Sequence, residues 1–163
     1  MKNLALPIRF GIVISALLVA YFLVLSLFGL HTHPAFSLGN GIIVGLGIYE
    51  TIRYYKLEQG NDFSYTGGFT VGIVAGFFAT LIFTAFFLLY ATEVNTGFLA
   101  SLLEVFKGDY NVGVGLVSFV VAIMGFATTV ILTLTFMQLF KESRNISQAN
   151  TVINNNSHLK KVS

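Results

Sequence analysis

Four stretches of this chain carry no charged residue, or a single one, over lengths set by the thickness of a membrane. Phe10–Leu30, Phe63–Ala91 and Asn111–Phe140 are uncharged throughout, and Ala35–Ile52 carries only Glu50, in its last turn. A helix rises 1.5 Å per residue, so about 20 apolar residues cross a hydrocarbon core roughly 30 Å thick. Inside that core each segment must satisfy its own backbone N–H and C=O groups, which a helix does and an isolated strand does not. The alternation of a transmembrane barrel is absent. The expected fold class is therefore all-α: an integral membrane protein with four transmembrane helices, over about 8–30, 35–53, 64–91 and 112–140.

Composition agrees with that class. Only 10% of the 163 residues are charged and 55% are hydrophobic, giving a mean hydropathy of +0.81. Soluble domains need about a quarter charged residues to face water. The chain has no Cys, which excludes disulfides, thiolate metal sites and a cysteine nucleophile. A net charge of +2, thinly spread, gives nucleic acid no basic surface to bind. The first apolar run is longer than a signal-peptide core, and Phe28–His31 offers no small-residue cleavage pattern. It reads as a retained helix.

The breaks between the runs carry turn chemistry. His31-Thr32-His33-Pro34 reads as a tight hairpin with Pro34 in the first turn of the second helix. Gly60 can stop that helix, and Asp62 or Ser64 can accept hydrogen bonds from the first amides of the third. In the long connection before the fourth span, Phe98, Leu99, Leu102, Leu103 and Phe106 fall at helical spacing beside Ser101, Glu104 and Lys107. That pattern predicts a short amphipathic helix in the outer loop between helices three and four, lying on the membrane surface. Residues 1–144 form the four-helix transmembrane domain, and the Asn- and Ser-rich segment 145–163 reads as a disordered polar cytoplasmic tail.

Orientation follows from the cations. Lys2 and Arg9 precede the first span, Arg53 and Lys56 follow the second, and Lys141, Arg144, Lys160 and Lys161 follow the fourth. Lys107 alone falls on the opposite side. The positive-inside rule then puts both termini and the 53–62 loop in the cytoplasm. Tyr54, Tyr55 and Tyr65 mark the inner interface, with Tyr90 and Tyr110 at the outer one.

Candidate functional residues are few. His31 and His33 share the outer hairpin, but a zinc or copper site needs three or four ligands in fixed geometry, so the pair reads as polar residues wetting a turn. Glu50 and Arg53, at i and i+3, read as an interfacial ion pair anchoring the end of the second helix. The alternative makes Glu50 an intramembrane ligand for a proton or ion. Small residues say more. Ser37, Gly41 and Gly45 repeat every fourth position in the second helix, as do Gly68, Gly72 and Gly76 in the third. Such faces let helix backbones approach closely, and similar depths from the shared loop predict that the two faces meet. Asn40, Thr128, Thr129 and Thr133 are expected to bond between helices or to their own carbonyls. No catalytic, cofactor or metal residues are assigned.

The stretch Ile48-Tyr49-Glu50-Thr51-Ile52-Arg53-Tyr54-Tyr55, followed by Phe63-Ser64-Tyr65 and Gly67-Gly68-Phe69-Thr70-Val71-Gly72, resembles an uncharacterised bacterial family of small four-helix membrane proteins, known as a domain of unknown function. The resemblance spans about residues 5–142. It implies four helices and a bacterial inner membrane, and it brings no activity.

The function expected is that of a non-enzymatic structural or accessory membrane component, working through helix packing and through contacts with membrane lipids, a second copy or another membrane protein. A small channel or transporter subunit is the second reading, with Asn40 and the helix-four threonines lining a polar route. A membrane enzyme would need His or carboxylates gathered at one membrane depth.

Overall fold

A computed structural model describes residues 4–94, 97–104 and 113–141. The expected tail at 145–163 lies outside them, as do Phe106, Lys107 and Tyr110 of the long connection. Among the described residues five α-helices follow one another: α1 (Ala5–Leu27), α2 (Pro34–Gln59), α3 (Tyr65–Leu89), α4 (Phe98–Glu104) and α5 (Val114–Phe140). Four are long and apolar enough to cross a membrane, the make-up of a multi-pass membrane protein. α4 is the short helix expected between the third and fourth spans. No strand occurs among the described residues.

Local chemistry sets the helix ends. α1 stops at Gly29 (φ 69°), whose N–H donates to Ser26 O while Leu30 N–H reaches back to Leu25 O. This is a Schellman ending, which glycine permits because it enters the left-handed region without a Cβ clash. The turn thus begins earlier than the His31–Pro34 hairpin predicted. His33 caps α2, its Nδ1 accepting from Ala35 N–H at 3.4 Å, and Pro34 stands in the first turn. α2 then runs past its expected end near Arg53 to Gln59, because nothing from Arg53 to Glu58 breaks a helix. Arg53 and Lys56 therefore sit on α2 rather than in a loop. Gly60 (φ 52°) ends the helix, and Ser64 opens α3 by accepting from Gly67 N–H at 3.1 Å. A π-helical turn, Tyr90–Val94, extends α3.

α3 is the hub, touching α1, α2 and α5. Of its most apolar window 39% is buried, against 11% for α5. α1 rides on α3 where Gly11 lies so close that a Cβ would fall 2.7 Å from Ala75 O. Ile14, Leu18, Ala75 and Ala79 fill the middle of the bundle. Ile48, Ile52 and Met137 fill the end where α2 stops and α3 starts. There Lys56 lies over the rings of Phe63 and Phe140, at 5.4 and 5.9 Å.

The glycines do not pair as the spacing predicted. Gly72 and Gly76 face α5, not the Gly41–Gly45 face of α2. A Cβ on Gly72 would fall 2.7 Å from Thr133 Cγ2, one on Gly76 would overlap Thr129, and one on Gly68 would meet Met137 Sδ at 2.9 Å. The contact is reciprocal, since a Cβ on Gly125 of α5 would fall 2.6 Å from Thr80 Cγ2 of α3. Gly41 looks onto open space, and Gly45 makes only ordinary contact with Leu132 and Phe136 of α5. The glycines of α2 that admit a neighbour closely are Gly47, which receives Ile14, and Gly39, which receives Tyr21. The physical reason is that α5 offers a ridge, Thr129, Thr133 and Met137, that fits the glycine groove of α3.

Candidate functional site

The most elaborated region lies at the end of the bundle where α1 stops and α3 passes into its π-turn. Phe22 from α1, Phe87, Tyr90 and Ala91 from α3 and its extension, and Phe98 from α4 form one buried cluster. Phe22 meets Tyr90 edge-on with ring centroids 4.9 Å apart and Phe98 at 5.8 Å. These are the tilted geometries that aromatic quadrupoles favour. Tyr90 shares a 2.6 Å hydrogen bond with Ser26, tying α1 to α3.

α4 closes this cluster. Phe98, expected on the apolar face of that helix, is only 2% exposed, and Leu102 packs against the same group. Tyr90, expected at an interface, is 5% exposed. Rings from α1, α3 and α4 bury one another here.

His31 completes the cluster. Its imidazole stacks on Phe98 (5.1 Å between centroids, 18° between planes) and meets Phe22 and Tyr90 edge-on. Neither ring nitrogen has a hydrogen-bond partner among the described residues. Burial lowers its pKa from the ordinary 6.5, because a charged imidazolium would lose its water without gaining an acceptor. The expected wetted hairpin histidine is thus a packed ring, while His33 serves the helix cap. Among the described residues no three His, Cys, Asp or Glu side chains gather closely enough to hold a metal.

The remaining candidates are placed plainly. Arg53 donates to Glu50 at 3.1 Å, and both side chains are about half exposed, so the carboxylate faces outward from the bundle. Thr128 bonds its own helix at Met124 O, 2.8 Å away. Thr129, Thr133 and Asn40 do not behave as expected: their buried oxygens have no partner among the described residues. For the threonines the reason is steric, as each is pressed into the space beside a glycine of α3. Phe83, Phe87 and Tyr90 recur at helical spacing on α3, a signal for one ring-bearing face.

A family model described as a protein of unknown function, DUF4199, matches residues 9–113, which takes in α1 to α4 and stops as α5 begins. No curated protein and no solved structure matches the chain.

Proposed function

The chain belongs to the DUF4199 family of unknown function, and from that premise we propose that it is a non-enzymatic multi-pass component of the bacterial inner membrane. In this reading it acts through contacts with lipids, a second copy or another membrane protein, not through turnover. One observation carries it: α3 and α5, which interlock along a glycine-lined seam, hold no charged residue. Their shared surface is filled by interlocking glycine and threonine. Ion- or proton-coupled transport draws on ionisable or unwound elements near the midplane. The charged pair of α2 points away from the bundle.

Both termini are proposed to be cytoplasmic. Arg9, Arg53, Lys56 and Lys141 belong to the same end of the bundle, and cations favour that side. Reporters fused after Arg144 and near Lys56 should read as cytoplasmic, and one near His33 as external. A periplasmic reading after Arg144 reverses the orientation.

A small channel or transporter subunit is the second reading, favoured by Asn40, Thr84 and Ser118, whose buried oxygens have no partner among the described residues. Purified protein in liposomes separates the two. The component reading expects ion and solute flux at the level of empty vesicles, together with specific co-purifying membrane proteins. Flux that Asn40→Ala abolishes decides for the transporter.

A further inference from the structure

At the basic end of the bundle, the first turns of α1 and the last turns of α2 run antiparallel and leave a cleft of about 330 Å³. Six residues line it. Ala5, Leu6, Phe10 and Tyr54 make an apolar wall, with the Phe10 and Tyr54 rings 5.8 Å apart. Arg9 and Glu58 bring one charge of each sign. No ion pair joins those two among the described residues, although Arg53 and Glu50 on the neighbouring face of α2 do pair. The volume falls within the roughly 300–1,000 Å³ typical of ligand clefts.

The surroundings say what kind of ligand fits. Arg9 stands a turn from the start of α1 and Glu58 in the last turn of α2, so both lie at a helix end where headgroups are found. Further along α1 from Arg9, Val13 and Leu17 are 56% and 53% exposed, continuing the cleft as an apolar strip. A ligand that fits both parts has a fixed anion, a fixed cation a few bonds away, and a long hydrocarbon tail. A guanidinium suits a phosphate by paired N–H donation, and a carboxylate suits a primary ammonium that can donate in return.

We infer that this cleft binds a phospholipid with a zwitterionic amine headgroup, phosphatidylethanolamine. Its phosphate sits on Arg9, its ammonium on Glu58, its glycerol against Phe10 and Tyr54, and one acyl chain along Val13 and Leu17. The site is independent of whether the protein is a scaffold or a transporter. Phosphatidylglycerol fits only the Arg9 half. Phosphatidylcholine carries a quaternary ammonium that donates no hydrogen bond to Glu58, and it fits less well.

Detergent-purified protein, titrated separately with the three lipids and followed by native mass spectrometry and thermal unfolding, tests this. Phosphatidylethanolamine should bind most tightly and give the largest rise in unfolding temperature. Arg9→Gln should weaken phosphatidylethanolamine and phosphatidylglycerol alike, by about threefold, the scale of an exposed charge pair. Glu58→Gln should erase the preference for phosphatidylethanolamine and leave phosphatidylglycerol unharmed. Arg53→Gln, on the paired face, should change neither lipid. Equal binding of all three headgroups, or an undiminished preference in Glu58→Gln, overturns the assignment. So does soluble phosphoethanolamine matching the lipid at equal concentration, since the acyl strip would then contribute nothing.

Discussion

α3 meets its neighbours in two contrasting ways. Along its first half it is stripped of side chains, and α5 sinks Thr129, Thr133 and Met137 into the space left by Gly76, Gly72 and Gly68. At its far end it carries large rings, and α1, α4 and the turn after α1 supply more rings to cover them. Lipid tails are as apolar as leucine, so helices in a membrane gain little by merely hiding apolar surface. What remains is the closeness of contact, and this chain reaches it once by removing atoms and once by filling volume. The seam should therefore be hurt by enlargement and the ring cluster by truncation.

The largest effect is expected from truncation at the ring cluster. Phe98→Ala should cost about 3–5 kcal/mol, the scale for emptying a buried phenylalanine site, read as a lowered unfolding temperature in detergent. A Phe98→Ala protein as stable as wild type would mean that α4 contributes nothing to the fold and that the two regions are not comparable.

Enlargement at the seam comes next. Gly76→Leu should cost roughly 1–3 kcal/mol through forced separation of α3 and α5, whereas Gly41→Leu, pointing into open space, should change little. The pair sharpens the comparison, since the two substitutions are chemically identical. Equal losses would show that the Ser37–Gly41 side of α2 also packs tightly in the membrane, as spacing alone suggested.

A smaller, pH-dependent effect belongs to the ring cluster alone. Burial holds the His31 pKa below 6.5, so as pH falls through 6.5 the unfolded chain takes up a proton that the folded one refuses. Stability is thus full above pH 6.5, declines below it, and levels off once the folded-state value is passed. Tyr90 is the titratable group in ring contact with the imidazole. Unfolding temperatures between pH 7.5 and 4.5 should show the decline, and His31→Phe should flatten it while His33→Phe should not. The smallest effect is expected at the outward pair, where Glu50→Gln should cost less than about 0.5 kcal/mol. A loss of several times that would place Glu50 in a role its exposure does not suggest.

Much of this architecture was legible because it depends on local properties. Runs of uncharged residues mark the spans, Pro34, Gly60 and Ser64 mark helix ends, and the spacing from Phe98 marks α4. Which faces meet was not legible, because it depends on the rotation of one helix about another. The fourfold spacing of Ser37, Gly41 and Gly45 matches that of Gly68, Gly72 and Gly76, and nothing in either pattern says that α5 supplies the partner ridge. Gly39 and Gly47, which do admit side chains of α1, belong to no obvious stripe. His31 misled for a similar reason: beside His33 and Pro34 it looks like a turn residue, and only the fold brings Phe22, Tyr90 and Phe98 around it.

The interlocked seam also acts as a depth gauge. Met137, Thr133 and Thr129 fall on Gly68, Gly72 and Gly76 in turn, and the alternation then inverts, with Thr80 on Gly125. Sliding α5 by one helical turn one way brings Thr129 onto Thr80, two branched side chains in one place. Sliding it the other way sets Gly76 opposite Gly125, bare backbone facing bare backbone. A single registration escapes both faults. α5 itself contains no charged residue, and Lys141 follows it at one end only. Its immersion is thus measured against α3, and a bilayer somewhat thicker or thinner than the helix must adapt to the protein, since the two helices cannot slip to adapt to the bilayer.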